Sequence, residues 1–163
     1  MATKTLQDLF VDTLRDVYYA ENQILKTLPK LAEAATTGEL KAAFEKHLTE
    51  TQGQVERLER VFKIVGEAPK GKKCDGIEGI LKEGDSAMAE FAGSDAADAS
   101  LISSAQAVEH YEITRYGTLC RWAEVLGLPE AVDLLSATLD EESNADETLT
   151  RIADAAANPK AAS

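Results

Sequence analysis

The sequence predicts an all-α protein, an antiparallel four-helix bundle in which two helical hairpins are joined by a long crossover with a short extra helix. Three observations predict this fold. Apolar residues recur at steps of three and four over long stretches of the 163 residues. The ten glycines and four prolines fall mostly between these stretches, where they end helices. No segment shows a competing strand pattern.

The first helix is predicted to begin near Thr5, where Asp8 stands in capping-box spacing. Its apolar stripe then consists of Phe10, Leu14, Val17, Ile24, Leu28 and Leu31. Because the pattern continues beyond Pro29, this proline is expected to kink the helix and not to end it.

A turn near residues 35–38 is predicted to connect the first helix to the second. Thr36 and Glu39 stand in capping-box spacing there, which predicts Thr36 as the N-cap of the second helix. Gly66 is expected to end that helix, because glycine is favoured just after helix C-termini. The two helices therefore form the first predicted hairpin.

The crossover is predicted to contain a loop at residues 66–75 and a short helix that Asp75 caps and Gly93 ends. A third long helix follows over residues 96–126. These elements bring the chain to the start of the second hairpin.

The fourth long helix is predicted to open with Pro129, since proline is tolerated at the first helical position, and to end at Asn158-Pro159. A chain of this length forms one domain, expected over residues 1–158. The remaining residues, 159–163, are expected to be a disordered tail.

The charge of the chain limits its partners. The formal net charge is −12 at pH 7, and such a surface repels nucleic acids and anionic membranes. No apolar run approaches the roughly 20 residues that span a bilayer, and the N-terminus lacks the apolar region of a signal peptide. We therefore expect a cytoplasmic protein that binds neither nucleic acid nor membrane, with Cys74 and Cys120 as reduced thiols.

Polar residues interrupt the apolar face of each long helix near its middle. In the first helix, Glu21 stands where the next inward residue after Val17 is expected. The corresponding polar residues are His47, Glu50 and Gln54 on the second helix, Glu109 and Glu112 on the third, and Glu142 and Asp146 on the fourth.

These interruptions occur at matching heights. Glu21 lies about 15 residues before the first turn and Glu50 about 14 after it, so both are roughly 21–23 Å from that end of the bundle. In the second hairpin, Glu112 lies about 16 residues before the turn and Glu142 about 14 after it. The polar residues therefore form one or two layers midway along the bundle.

Such a layer needs a compensating charge, because burial of an ionised carboxylate costs several kcal/mol and like charges repel. Divalent cations would relieve both costs, and carboxylates are ligands that hard or borderline ions prefer. Any one of these glutamates, taken alone, is better explained by a wet groove between splayed helices. The whole set at shared heights predicts a metal site.

Four motifs lie at these positions: Tyr18-Tyr19-Ala20-Glu21, His47-Leu48-Thr49-Glu50, Glu109-His110-Tyr111-Glu112, and Glu141-Glu142 followed by Asp146. Together they resemble the YciE/YciF family of bacterial ferritin-like proteins, which is related in fold to rubrerythrins and bacterioferritins. The resemblance covers nearly the whole chain. It implies a ferritin-like bundle with one long crossover, a site for two metal ions that are usually taken to be iron, and a link to bacterial stress responses.

The ferritin-like ligand pattern is a glutamate on one helix and Glu-x-x-His on the next, repeated once. Carried onto this chain, it implies Glu21, Glu50, Glu112 and Glu142 as ligands, with Glu109 matching an extra glutamate of rubrerythrin-type third helices. Both histidines of the pattern are missing, because Gly53 and Ala145 stand in their places. Gln54, Asp146 and His47 are the candidates to replace them. Because such a ligand set is rich in oxygen, it suits manganese as well as iron.

Two functions of different classes are consistent with these residues. The first is an oxidoreductase that holds two iron ions per chain and reacts Fe(II) with O2 or peroxide; no catalytic side chain is assigned. The second is a non-catalytic stress-response protein, with a binding or structural role, whose metal stabilises the fold. A homodimer is expected in either case, because two-fold pairing is the commonest assembly.

Overall fold

The computed structural model describes residues 3–163, and every regular element in that range is helical. The elements are α1 (Leu6–Ala34), α2 (Gly38–Ile64), α3 (Asp75–Glu90), α4 (Ala97–Val125), α5 (Pro129–Ile152), a π-helical turn (Ala153–Ala157) and α6 (Asn158–Ala161). The all-α class predicted from the apolar spacing is confirmed. None of these helices is both long and apolar enough to cross a membrane.

The four long helices pack in two sequential pairs. Helix α1 packs along α2, and α4 packs along α5. Residues 35–37 connect the first pair and residues 126–128 the second, and connections this short make neighbouring helices antiparallel. The two pairs meet through contacts of α2 with α5 and of α1 with α4, while α3 lies mainly against α4.

The start of α1 confirms the predicted capping box. The Thr5 hydroxyl accepts a hydrogen bond from the backbone N–H of Asp8, and the Asp8 carboxylate accepts one from the backbone N–H of Thr5. Helix α1 also continues through Pro29 to Ala34, as the apolar pattern indicates.

Two predicted N-caps are wrong by one residue. The N-cap of α2 is Thr37, because Thr36 donates from its backbone N–H and its hydroxyl to the buried carboxylate of Asp98 on α4, at 2.8 and 2.9 Å. The N-cap of α3 is Cys74, and Asp75 is the first helical residue. A tertiary partner, absent from the local sequence, decides the first case.

The end of the second hairpin also differs from the prediction. Helix α5 ends at Ile152, and a π-helical turn and α6 carry the helical path past Pro159. Pro159 lies in the first turn of α6, where proline is tolerated. The domain limit at residue 158 stays a prediction.

The apolar core is divided into two clusters. The α1–α2-turn cluster includes Ile24, Leu28, Leu31, Leu40, Phe44, Ile77, Leu101, Ile102, Leu149 and Ile152. The α4–α5-turn cluster includes Phe10, Leu14, Val17, Leu58, Val61, Phe62, Tyr116, Leu119 and Leu135. Each of the four long helices contributes to both clusters, and the buried polar residues other than Thr13 and Asp98 lie between the two clusters along these helices. The fold therefore places a polar layer inside the core.

Candidate metal centre

Four possible ligands from three helices converge in the polar layer. They are His47 of α2, Glu109 and Glu112 of α4, and Glu142 of α5, and each offers one ligand atom within 4.8 Å of the others. We call them the carboxylate–histidine group. All four are buried, and Glu112 and Glu142 have no exposed surface. The i, i+3 spacing on α4 brings Glu109 and Glu112 to the same side of that helix.

Helix α1 contributes Glu21, which is fully buried. Its Oε1 accepts a hydrogen bond of 2.5 Å from the hydroxyl group of Tyr116 on α4. Burial raises the pKa of Glu112, and the charges of Glu142 and Glu21 raise it further, so the carboxyl group of Glu21 lies near that of Glu112. Glu21 therefore joins the carboxylate–histidine group on its α1 side.

The His47 ring connects the group to its edge. Its Nε2 lies 3.2 Å from Oε1 of Glu109 and 3.5 Å from Oε2 of Glu142, while its Nδ1 lies 3.3 Å from Oε2 of Glu50. When a carboxylate accepts a hydrogen bond from Nδ1–H, the lone pair of Nε2 is available for a metal. Histidine ligands are usually oriented in this way. Glu50 thus orients His47.

Glu50 itself lies at the border of the layer. Its side chain is 21% exposed, and its Oε1 pairs with the ammonium group of Lys46 at 3.3 Å. The hydrogen bond to His47 lowers the pKa of Glu50 below its ordinary value. Glu50 is therefore ionised near neutral pH and reaches the buried group through His47.

Gln54 and Asp146, the other predicted ligands, are held by different neighbours. Gln54 is fully buried and donates from Nε2 to Glu141 at 3.0 Å. Asp146 accepts from Gln106 at 3.2 Å and lies 3.1 Å from the Nε2 of exposed His110. The carbonyl oxygen of Gln54 has no hydrogen-bond partner among the residues described, so it is the freer of the two ligand candidates.

Burial raises the pKa of several acids in the layer. The pKa of Glu21 is raised to about 8, first by burial and next by the charge of Glu142. Burial also raises the pKa of Glu109 and Glu112 well above 4.5. For His47, burial acts to lower the pKa, but the hydrogen bond to Glu50 and the nearby carboxylates outweigh it and raise the pKa. Without a cation, the layer retains protons near neutral pH.

The residues of the layer fit a divalent cation. Within residues 3–163, these buried atoms have no hydrogen-bond partner: both carboxylate oxygens of Glu112 and Glu142, and Oε2 of Glu21 and Glu109. Nε2 of His47 also makes no hydrogen bond, although Oε1 of Glu109 lies 3.2 Å away at ion-pair distance. A buried acceptor without a partner costs about 1–3 kcal/mol, and a bound cation would remove that cost at several atoms together. Carboxylate oxygens with one imidazole nitrogen suit iron, manganese or zinc.

The structure thus brings together five of the eight residues singled out in the sequence: Glu21, His47, Glu109, Glu112 and Glu142. Sequence reasoning missed the ion pair beside Gln54, in which Arg57 binds both oxygens of Glu141 at 2.6 and 2.8 Å. The sequence signal for this pair is weak. It consists only of position: Arg57 lies three residues after Gln54, and Glu141 directly precedes the predicted ligand Glu142. This pair fixes which end of the Gln54 amide remains free.

The chain resembles known proteins over nearly its full length. Residues 5–162 match the model of a family described as a domain of unknown function, DUF892. Protein YciF of Escherichia coli K12 is 42% identical over 162 residues, which cover 99% of this chain and 98% of YciF.

Solved structures resemble it as well. That of YciF, described as an E. coli stress protein, has a TM-score of 0.88 at 42% identity and covers 93% of this chain and 96% of its own. YcfI of Rhodopseudomonas palustris, described as a candidate structural protein, has a TM-score of 0.88 at 48% identity and covers 90% of this chain and 94% of its own. A Xanthomonas campestris protein at 22% identity shares the fold, with a TM-score of 0.71 over 92% of this chain and 91% of its own. The chain therefore belongs to the YciF-type family of the domain DUF892.

Proposed function

We propose that this protein binds two metal ions, iron foremost, in the polar layer of a ferritin-like four-helix bundle formed by α1, α2, α4 and α5, and that it acts in a stress response. The observation that carries the proposal is the set of buried ligand atoms without hydrogen-bond partners inside residues 3–163. A layer that had evolved only for stability would be expected to pair these atoms or to replace them with apolar groups.

Charge balance supports two ions and not one. Glu21, Glu109, Glu112 and Glu142 carry four negative charges when all are ionised, and each is buried. Two divalent cations supply four positive charges, whereas a single cation would leave two buried carboxylates uncompensated or protonated. His47 binds as a neutral imidazole and leaves this sum unchanged.

The helix pairing supports the ferritin-like arrangement. The pairs α1–α2 and α4–α5 each have a three-residue connection, and α3 lies in the segment that joins them. Ferritin-like bundles have two hairpins with one long crossover and build their metal sites from inward carboxylates of facing helices.

Iron in such a site would supply electron transfer from Fe(II) to O2 or peroxide, and this is the activity that we propose. The protein side chains hold and orient the ligands: Tyr116 donates to one oxygen of Glu21, and Glu50 orients His47. The apolar clusters on both sides of the layer limit the access of water, which strengthens electrostatic interactions inside it.

The second candidate is a structural protein of the stress response in which the metal only stabilises the bundle. The description of YcfI as a candidate structural protein favours it. In that case, chelation of the metal lowers the melting temperature, but the metal-loaded protein consumes neither O2 nor peroxide. The two candidates share the metal site and differ in turnover.

A matched pair of variants on α5 tests the metal site. Anaerobic titration of the wild-type protein with Fe(II) is expected to reach two ions per chain. Glu142→Gln removes one charge from the buried layer with little change in shape, and it should lower the stoichiometry or weaken binding at least about tenfold. Glu147→Gln removes the same charge from an exposed position of α5 and should bind as the wild type does.

Equal Fe(II) binding by Glu142→Gln and Glu147→Gln would refute the buried site. Admission of air then distinguishes the two candidate functions. Consumption of O2 or peroxide in proportion to bound Fe(II) supports the oxidoreductase, and stable Fe(II) in air supports the structural role. Titration with Mn(II) under the same conditions tests manganese, which the oxygen-rich ligand set also suits.

We further propose that the protein is a cytoplasmic homodimer. Two-fold pairing of identical chains is the commonest assembly of soluble proteins. Light scattering at several protein concentrations tests the dimer, for which a molecular mass of twice 17.5 kDa is expected.

A further inference from the structure

A small cavity lies beside the carboxylate–histidine group, in the groove between α2 and α5. Its volume is about 30 Å³, which leaves room for at least one water-sized molecule. Its apolar walls include Ala43, Phe44, Ala145 and Leu149, and its polar side includes His47 and Glu109. Only a molecule of very few non-hydrogen atoms fits there.

The small side chain of Ala145 keeps this space open. Ala145 follows Glu142 by three residues on α5, so the two side chains lie on neighbouring parts of the same helical face. It also stands at the position where the ferritin-like ligand pattern has a histidine. A larger side chain at this position would extend from α5 into the cavity and towards Glu109.

The cavity favours an uncharged molecule over an anion. Glu50 and Glu109 both line it, and their carboxyl oxygens disfavour an anion. Lys46 also borders the cavity, but its charge is paired with Glu50 at 3.3 Å. Thr148 also lines the cavity and its hydroxyl group can donate, but the alanine, phenylalanine and leucine walls offer no hydrogen-bond donors, so a polar molecule would lose most of its hydrogen bonds to water on entry.

We propose that the Ala145 cavity is the place where dioxygen reaches the metal centre, and that Ala145 excludes larger substrates by size. Dioxygen is uncharged, has two atoms and forms only weak hydrogen bonds, so it suits a small cavity with mostly apolar walls. This inference rests on the proposed function. It adds that the metal centre reacts with dioxygen in preference to peroxide or an organic substrate, and that Ala145 determines this preference.

Dissolved dioxygen tests the cavity in the metal-free protein. It is paramagnetic and accelerates the nuclear relaxation of the methyl groups that it contacts. Under oxygen pressure, the methyl protons of Ala43 and Leu149 should relax faster than those of Leu58, which lies in the α4–α5-turn cluster. Ala145→Leu should abolish this difference, whereas Ala145→Ser, a change of similar volume, should retain it.

A uniform effect of oxygen on Ala43, Leu149 and Leu58 would overturn the inference, as would an unchanged difference in Ala145→Leu. If the leucine variant does not fold, as judged by circular dichroism, Ala145→Val serves as the milder filling change. If oxygen no longer relaxes Ala43 and Leu149 faster than Leu58 in Ala145→Val, the inference is supported. A difference as large as in the wild type contradicts it.

A second measurement separates the cavity from the metal site. Ala145→Leu should bind Fe(II) with the wild-type stoichiometry, but its oxidation by O2 should slow at least about tenfold, with a smaller effect on oxidation by peroxide. Failure of the wild-type protein to bind Fe(II) would refute the proposed function itself. Oxidation by O2 at the wild-type rate in a fully loaded Ala145→Leu protein would refute only the role of the cavity.

Discussion

The hydroxyl group of Tyr116 determines which oxygen of Glu21 is available to a metal. Oε1 of Glu21 accepts the Tyr116 hydrogen bond, and Oε2 has no hydrogen-bond partner in residues 3–163. A carboxylate held in this way offers one oxygen to a cation while the other is fixed by the protein. Burial and the charge of Glu21 also raise the pKa of Tyr116 well above 10, so its hydroxyl group stays a donor.

Replacement of this hydroxyl group tests the role of Tyr116. Tyr116→Phe leaves Oε1 of Glu21 buried without a donor, so we expect a loss of about 1–3 kcal/mol in the free energy of unfolding and weaker metal binding. Urea unfolding and calorimetric titration with Mn(II) measure the two effects.

The control for this prediction is Tyr18→Phe. Tyr18 also donates its hydroxyl hydrogen to a glutamate, Glu59, but that contact lies at the surface. Its removal should change the free energy of unfolding by less than about 1 kcal/mol and leave Mn(II) affinity unaltered. Equal effects of the two variants on Mn(II) affinity would mean that Tyr116 does not position Glu21.

At the residue scale, the sequence predicts most of the side chains that enter the polar layer but not how each one is oriented. Glu21, Glu112 and Glu142 are predictable because each interrupts an apolar stripe at a matching height. Whether His47 or Glu50 enters the buried group is not predictable, because both lie on the inward half of α2. Only the packing of α2 against α4 and α5 places the imidazole inside and the Glu50 carboxylate at the border. Their spacing of three residues is the same in either arrangement.

At the element scale, the loop at residues 67–74 is fixed to α1. Lys72 donates from its backbone N–H to the carbonyl oxygen of Arg15, and its ammonium group pairs with Asp12 and Asp16. Gly71 lies against α1, where a Cβ atom would stand 3.2 Å from the Cα and Cβ atoms of Tyr19. The absence of a side chain at residue 71 therefore allows this close approach.

Two glycine substitutions test this contact. Gly71→Ala should lower the free energy of unfolding by about 1 kcal/mol, because the added methyl group separates the loop from α1. Gly79→Ala lies inside α3 with no heavy atom within 4 Å of the new Cβ, and it should raise stability by up to about 1 kcal/mol through helix propensity. A Gly71→Ala protein as stable as the wild type would show that the loop moves away at no cost.

The bounds of the helices were largely predictable, because glycine, proline and threonine occur at their ends. Gly66 and Gly127, two residues beyond the last residues of α2 and α4, adopt φ values of 75° and 70°, the left-handed conformation that favours glycine. The capping-box spacing with Glu39 favours Thr36, and the use of Thr37 instead depends on Asp98, which is 62 residues away from Thr36. Long-range partners of this kind are not encoded in local patterns.

At the scale of the whole molecule, protons and metal ions compete for the polar layer. The pKa of Glu21 rises from an ordinary value of 4.5 to about 8 on folding, and those of Glu109 and Glu112 also rise. Between these pH values the folded metal-free protein binds more protons than the unfolded chain does. The protons bound by these groups therefore contribute fully to the free energy of unfolding below about pH 4.5. This contribution decreases as the pH rises and is lost as the pH passes about 8.

We predict that the free energy of unfolding of the metal-free protein decreases between pH 5 and pH 8, by an amount on the order of a few kcal/mol. Metal ions displace these protons, so saturating Mn(II) should remove or reverse the decrease. Chemical unfolding at several pH values, with and without Mn(II), measures both slopes.

Glu112→Gln provides the control, because the amide keeps the shape of the side chain but cannot ionise. The pH dependence of this variant without metal should be flatter than that of the wild type. A wild-type protein whose stability is constant from pH 5 to pH 8, or an equally steep decrease in Glu112→Gln, would contradict the assignment of the effect to the polar layer.

The division of the core has a consequence for local opening of the helices. Amide hydrogen exchange is usually slowest at the centre of a long helix and fastest at its frayed ends. Here the apolar contacts lie towards the two ends of the four long helices, and their centres meet in the layer of buried acids. The central amides near Glu21, Thr51 and Glu142 should therefore exchange faster than those one or two turns away, and cation binding should restore the usual order.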